Sequence, residues 1–265
     1  MLNLSDNMVI SICNGIATVK FNRPDRHNAI DYNGWLELSS VVSRLSKDDK
    51  VKVVVFTGAG DEAFSSGADI SDFSRNRNNS CAAKIYAKAF EGALNAVENL
   101  HKPTVSLING VCVGGGCELS MATDIRVATD NSRFGIPVAR LGILVGYSEM
   151  RRLVDLVGPG NASYLLLTAQ IVSADEALRM GLISVVTTSG EFNEYTDDLV
   201  RKIASLAPLS HRQHKAIMKA ILRRNSLSDL SDEEKHIPFA IFDSSDFQEG
   251  LLAFNERREP TFEGN

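Results

Sequence analysis

No apolar run in this 265-residue chain approaches the roughly 20 residues needed to span a bilayer, so no membrane-spanning helix is expected. The opening residues, Met-Leu-Asn-Leu-Ser-Asp, carry neither a basic stretch nor an apolar core, and no secretory leader is expected. Cysteine is sparse. Cys13, Cys81, Cys112 and Cys117 are scattered without a Cys-x-x-Cys pair and read as buried thiols in a reducing cytoplasm. Cys112 and Cys117 flank a glycine run, but the His or Cys partners that zinc requires are missing nearby, so no metal site is expected. Positive charge is not in excess either. A net charge of −5 argues against a general nucleic-acid or acidic-membrane partner.

What remains is an ordinary globular composition, 44% hydrophobic and 23% charged, long enough for one large core or a core with a helical appendage. Met8 to Cys13 and Ile16 to Phe21 are β-rich runs separated by Asn14-Gly15, a hairpin signal. Asp31 caps a helical pattern through Trp35, Leu38, Val41, Val42 and Leu45. Val51 to Phe56 is an almost wholly apolar strand, suited to a sheet covered on both faces. A polar stretch from Asp72 to Asn79 reads as a surface loop, and helical periodicity resumes from Ala82 to Leu100. Thr104 to Ile108, Ile125 to Ala128 and Ile183 to Val186 repeat the strand signal. Strands alternating with helices imply an α/β fold with crossover connections. From about residue 191 the texture changes. Residues 191–206, 208–224 and 245–258 read as amphipathic helices with no strand between them. They fit a cap that completes the core and an oligomerisation or substrate-covering region equally well.

The most informative stretch is Asn109 to Glu118, where three glycines close a short apolar run and lead at once into a helical pattern from Cys117 to Ala122. Backbone without Cβ atoms approaches a ligand closely, and the first N–H groups of a helix lack internal partners, which makes a cradle for negative charge. Glu118 lies three residues beyond Gly115, on the face of the free amides. An anion-stabilising donor and a proton-transfer group on one rigid element point to chemistry on a carbonyl compound. A second turn, Gly67-Ala68, follows the apolar strand, with Asp69 or Ser71 placed to cap the next helix. Two N–H groups from two such turns, aimed at one oxygen, are each worth roughly 3 kcal/mol of barrier lowering. Gly58-Ala-Gly60 is neither a P-loop nor a dinucleotide fingerprint.

Taken together, several segments resemble the crotonase, or enoyl-CoA hydratase/isomerase, family. They are Phe21 to Ile30, Phe64 to Ile70, Asn109 to Arg126, Arg133 to Pro137, Ser173 to Ile183 and Asp246 to Phe254. The resemblance implies a ClpP/crotonase-like fold of repeated ββα units, with residues 1–190 as the core carrying the acyl-CoA site. It implies that residues 191–265 form a helical trimerisation region, that the chain is a cytoplasmic homotrimer or dimer of trimers, and that a coenzyme A thioester is substrate with no permanently bound cofactor. Ala68 and Gly115 match the family's two oxyanion donors, and Glu118 matches the first of its two acid/base glutamates. Arg26, Ser66, Ala68, Asp69 and Ile70 lie where relatives bind the adenine and pantetheine portions of coenzyme A. Phe254 and Arg257 match positions that approach the nucleotide.

One departure bears on the reaction. Where the hydratases carry their second glutamate, directly after the Phe-Gly-x-Pro segment, this chain has Val138. Tyr147 and Glu149 are candidates for a replacement acid, with Tyr147 alternatively filling the acyl pocket. Arg140 is a candidate for recognising a carboxylated acyl group. Three functions follow from this reading. The first is hydration/dehydration or double-bond isomerisation of an enoyl-CoA with Glu118 as acid/base. The second is another reaction of the family, namely decarboxylation, thioester hydrolysis or C–C cleavage. The third is acyl-CoA binding without catalysis.

Overall fold

The alternating pattern of apolar strands and amphipathic helices resolves into two sheets. In the computed structural model, which describes residues 6–224 and 226–265, β1 (Met8–Cys13) and β2 (Ile16–Phe21) form the expected antiparallel hairpin. Both turn residues have positive φ, 50° at Asn14 and 81° at Gly15, which suits a two-residue connection between twisted strands. Asp31 caps α1 (Tyr32–Lys47) by accepting from the Gly34 N–H. There follow β3 (Val53–Gly58), β4 (Ala63–Ser65), α2 (Phe73–Asn76), α3 (Ser80–Asn99), β5 (Thr104–Ile108), β6 (Val111–Val113) and α4 (Gly115–Met121). The fourth unit comprises β7 (Ile125–Thr129), β8 (Arg133–Gly135) and α5 (Tyr147–Thr168), which kinks at Gly158 before Pro159. Last come β9 (Val172–Ser173), α6 (Ala174–Met180), β10 (Val185–Thr187), α7 (Phe192–Ser205), α8 (Pro208–Arg223), α9 (Asp232–Ala240) and α10 (Ser245–Glu256). Two strands followed by a helix recur along the first 168 residues.

The larger sheet runs β1-β2-β3-β5-β7-β10, and every pairing beyond the hairpin is parallel. The apolar composition of β3 has a direct cause. Val54 and Phe56 point into the main core with Trp35, Leu38 and Leu94, whereas Val53 and Val55 meet Phe192, Val200 and Ile203 of α7. Both faces are covered, so neither can be polar. The first C-terminal helix thus forms a layer on the sheet.

The smaller sheet, β4-β6-β8-β9, positions the site. β4, β6 and β8 are parallel neighbours, with Ala63 opposite Val111 and Val111 opposite Arg133. Their carboxyl ends therefore open along one edge, where parallel sheets characteristically hold ligands.

Some expectations need amendment. The 72–79 stretch contains the short helix α2, and α9 carried no helical signal in the sequence reading. Cys13 and Cys81 are exposed, and only Cys112 and Cys117 are buried. Among the described residues no helix is long and apolar enough to cross a membrane.

Candidate active site

Each oxyanion candidate emerges from the end of one of these strands. After β4 the chain reaches Gly67-Ala68, and Ala68 makes an isolated parallel bridge to Ile30. In that bridge the Ile30 N–H donates to the Gly67 carbonyl (2.8 Å) and the Ile30 carbonyl accepts from the Asp69 N–H (2.9 Å). The Ala68 N–H consequently points the other way, into a cleft that Ala68 lines. After β6, Gly114 adopts φ +52° and ψ −130°, a conformation closed to residues with a side chain, and turns the chain into α4. Gly115 is the first residue of that helix, where an N–H has no intrahelical acceptor. Among the described residues no acceptor is found for either amide. The two are close neighbours, since a Cβ built on Gly67 would lie 2.5 Å from the Gly115 nitrogen and one built on Gly115 would lie 3.2 Å from the Ala68 nitrogen.

Glu118 stands one turn along α4, its N–H donating to the Gly114 carbonyl (2.9 Å). It is 6% exposed and lines the same cleft. Among the described residues no cation lies within ion-pairing distance of its carboxylate. Burial, reinforced by the charge of Glu149, pushes its pKa up to about 8. Arg77 and Arg152 oppose that shift without cancelling it. Glu118 therefore holds its proton to higher pH than an ordinary carboxyl, in the same cleft as two unpartnered amides.

Comparison with known proteins decides the family. The Enoyl-CoA hydratase/isomerase family matches residues 11–265. The chain is 33% identical over 254 residues to a short-chain-enoyl-CoA hydratase of Clostridium acetobutylicum, covering 96% of each protein. It is 33% identical to a crotonyl-CoA hydratase of Syntrophomonas wolfei, covering 97% of this chain and 98% of that protein. The chain belongs to the crotonase family. A solved enoyl-CoA hydratase/carnithine racemase from Magnetospirillum magneticum superposes with a TM-score of 0.94 at 33% identity, covering 99% of this chain and 97% of that one.

In this crotonase the cleft encloses about 340 Å³. Besides Ala68, Gly115 and Glu118, its walls include the expected Ser66, Ile70, Val138 and Glu149. Val138 presents an apolar wall, so the second carboxylate at hand is Glu149, in the first turn of α5 and 2% exposed. Burial raises the Glu149 pKa and Glu91 raises it further, while Arg152 holds it back. The Arg152 guanidinium lies 3.4 Å from Glu149 and is itself held by Glu98 (2.6 Å) and Asn95 (2.5 Å).

Other expected residues lie elsewhere. Tyr147 is 97% exposed and does not fill the pocket, because the start of α5 turns it outward. Arg140 is exposed and donates to the Ala169 carbonyl (2.7 Å), outside the residues that line the cleft. Asp69 lies beside the cleft, its carboxylate committed to Arg23 (2.9 Å) and to the Ser71 hydroxyl (2.6 Å), which keeps it below the usual carboxylate range. Arg26, Phe254 and Arg257 are also outside the cleft lining, and all three are exposed.

The cleft also contains groups absent from the sequence reading. Arg77 stacks over Phe73 (4.6 Å) and Tyr86 (4.9 Å), and Phe90 and Glu91 contribute from α3. Tyr86 and Phe90, one turn apart, were legible as an aromatic stripe on a helix face. Nothing in the sequence distinguished Arg77 from its polar neighbours.

Proposed function

We propose that this crotonase adds water across the 2,3 double bond of an enoyl-CoA and catalyses the reverse elimination. The observation that carries the reading is a buried Glu118 in one cleft with the unpartnered N–H groups of Ala68 and Gly115. A thioester oxygen held by these two amides takes up the charge of an enolate, and Glu118 supplies or removes the proton at Cα. That its relatives at about 30% identity are enoyl-CoA hydratases and dehydratases supports the same reading. Ser66 and Ile70 at the cleft, with Arg26, Phe254 and Arg257, are assigned to the coenzyme A portion on the strength of the family pattern.

Double-bond isomerisation is the second reading, favoured by Val138. Moving a proton between two carbons needs one acid/base group and no activated water, and an apolar wall suits that. Assembly is supported by the C-terminal region, which leaves Met218, Ile221, Leu222, Phe239 and Phe242 substantially exposed. A homotrimer or dimer of trimers would cover them, and sedimentation as a 28.9 kDa monomer would refute this.

Crotonyl-CoA hydration, followed by loss of the conjugated enoyl thioester absorbance, tests the main reading. Glu118→Gln is expected to lower kcat by about 10²- to 10⁴-fold while CoA-ester affinity is retained. Tight binding of enoyl-CoA by the wild type with no hydration would refute it.

A further inference from the structure

A hydratase has two separate proton tasks, and Glu118 accounts for one. The water that attacks Cβ must lose a proton as the enolate forms, and Cα must then gain one. Val138 has nothing to offer the water. Glu149 differs from Val138 in kind and from Glu118 in circumstance. It projects from another element, the first turn of α5, into the same cleft. Its position is built. Gly146, one turn back, has no Cβ, and one placed there would lie 2.4 Å from the Glu149 Oε2. Arg152 braces the opposite oxygen, Oε1, and is tied in turn to Glu98 and Asn95 of α3.

The two carboxyls are thus set up unequally. Glu149 has a guanidinium at 3.4 Å, while Glu118 has no ion-pair partner among the described residues. When two nearby carboxyls share one proton, the one next to the cation ionises and the other keeps the proton. This leaves one base and one acid facing a single cavity. A purely structural role, a helix N-terminal carboxylate bonded to Arg152, explains the ion pair. It does not explain why the residue lines the cleft and raises the Glu118 pKa.

Resting on the hydratase reading above, we propose that Glu149 is the second catalytic carboxylate, the base that activates water, carried on α5 in place of the loop position occupied by Val138. In the forward step Glu149 takes a proton from water as its oxygen bonds to Cβ. The double-bond electrons move to the thioester oxygen between Ala68 and Gly115. The enolate then collapses as Glu118 delivers its proton to Cα. The product is the 3-hydroxyacyl-CoA, one water heavier than the substrate, and proton transfer from Glu149 to Glu118 through solvent resets the pair.

The test separates the two carboxyls by the carbon each serves. Exchange of the Cα hydrogen of butyryl-CoA with deuterium oxide needs only the oxyanion donors and Glu118. Glu149→Gln is expected to lose about 10²- to 10⁴-fold in crotonyl-CoA hydration while keeping Cα exchange and butyryl-CoA affinity within about threefold. Glu118→Gln is expected to lose both activities. Adding Val138→Glu to Glu149→Gln is expected to recover at least about tenfold of the hydration.

Hydration by Glu149→Gln within about threefold of wild type would overturn the proposal, as would parallel loss of exchange and hydration with binding intact. Should Glu149→Gln fail to fold, the wild-type pH profile decides. Glu91, Glu98, Arg77 and Arg152 are the charged groups facing the pair. The proposal requires a bell-shaped kcat/KM, rising as Glu149 ionises and falling as Glu118 does, and a single limb would overturn it. If the wild type exchanges Cα but hydrates nothing, the hydratase reading falls and this proposal falls with it. If the wild type hydrates and Glu149→Gln does too, only the role of Glu149 falls.

Discussion

Replacing Glu118 with glutamine should remove a loss of stability that the wild type suffers as the pH rises. Burial lifts the Glu118 pKa from an ordinary 4.5 to about 8. Between those values the unfolded chain has lost the proton while the folded protein retains it. The folded state then binds more protons, so stability falls with increasing pH. The contribution is fully present below 4.5 and is lost as pH passes about 8. At 1.36 kcal/mol per pH unit, the wild type loses about 3 kcal/mol between pH 5.5 and 9 from this group. That is an upper bound, because water in the cleft solvates the anion. Glutamine does not titrate, so the variant lacks this slope. Carboxylates held below their usual range, such as Asp69 and Glu249, lose stabilisation only at more acidic pH and do not contribute in this window. Urea unfolding of both proteins at pH 5.5 and 9, at one protein concentration, measures the difference. Parallel profiles would refute the argument, since they would mean that Glu118 is ionised at neutral pH and cannot be an acid.

The remaining predictions concern the groups around that carboxyl. Gly67→Ala places a Cβ at φ +91° and 2.5 Å from the Gly115 nitrogen. It should cost about 2 kcal/mol or more in urea unfolding and at least about 10²-fold in kcat, and wild-type turnover would show that the two donors are not jointly required. Arg77→Met removes a positive charge that lowers the Glu118 pKa, so the descending limb of kcat/KM should move to higher pH. A shift downward would refute the electrostatic assignment. Trp35→Phe deletes the donor to the Tyr86 hydroxyl (3.0 Å) and changes the edge contact with Phe90 (4.8 Å between rings). A loss of about 2–4 kcal/mol is expected in thermal unfolding, because the buried Tyr86 hydroxyl is left without that partner.

The parts of the fold that were legible are those in which a residue type answers a local demand. Asn14-Gly15 and Asp31 meet the backbone needs of a tight turn and a helix start. Gly67, Gly114 and Gly115 meet the needs of close approach and positive φ, which is why these two glycine turns were visible before the fold was. The smaller sheet was not legible, because strands of two or three residues such as β4, β8 and β9 are too short to show any period. Tyr147, Glu149 and Arg140 were placed together by sequence proximity, yet only Glu149 reaches the cleft. Adjacent helix residues point about 100° apart, and which one faces inward depends on packing that the sequence does not state. Arg77 was hidden for a related reason. Its significance comes from Phe73 and Tyr86, one of them on a different helix.

The topology shows how firmly each part of the candidate site is held. Ala68 and Gly115 are set by the parallel register of β4 and β6. A slip of one residue would carry the Ala68 N–H away from the cleft, and the contact between Gly67 and Gly115 leaves no room for such a slip. Glu118 is tied to the same register through α4. Val138 follows β8 in a single 3-10 turn, and β8 is itself held against β6, with the Gly114 N–H donating to the Gly135 carbonyl (2.9 Å). The two amides and Glu118 are therefore fixed by one strand framework, whereas Glu149 comes from α5. Under the proposal above, a carboxylate on α5 needs a glycine at 146 to give it space and an arginine at 152 to hold it, and both are present. A valine at 138 is thus compatible with the proposed hydration, because the proposed base, Glu149, is carried by α5 and not by the strand ends that hold the two amides.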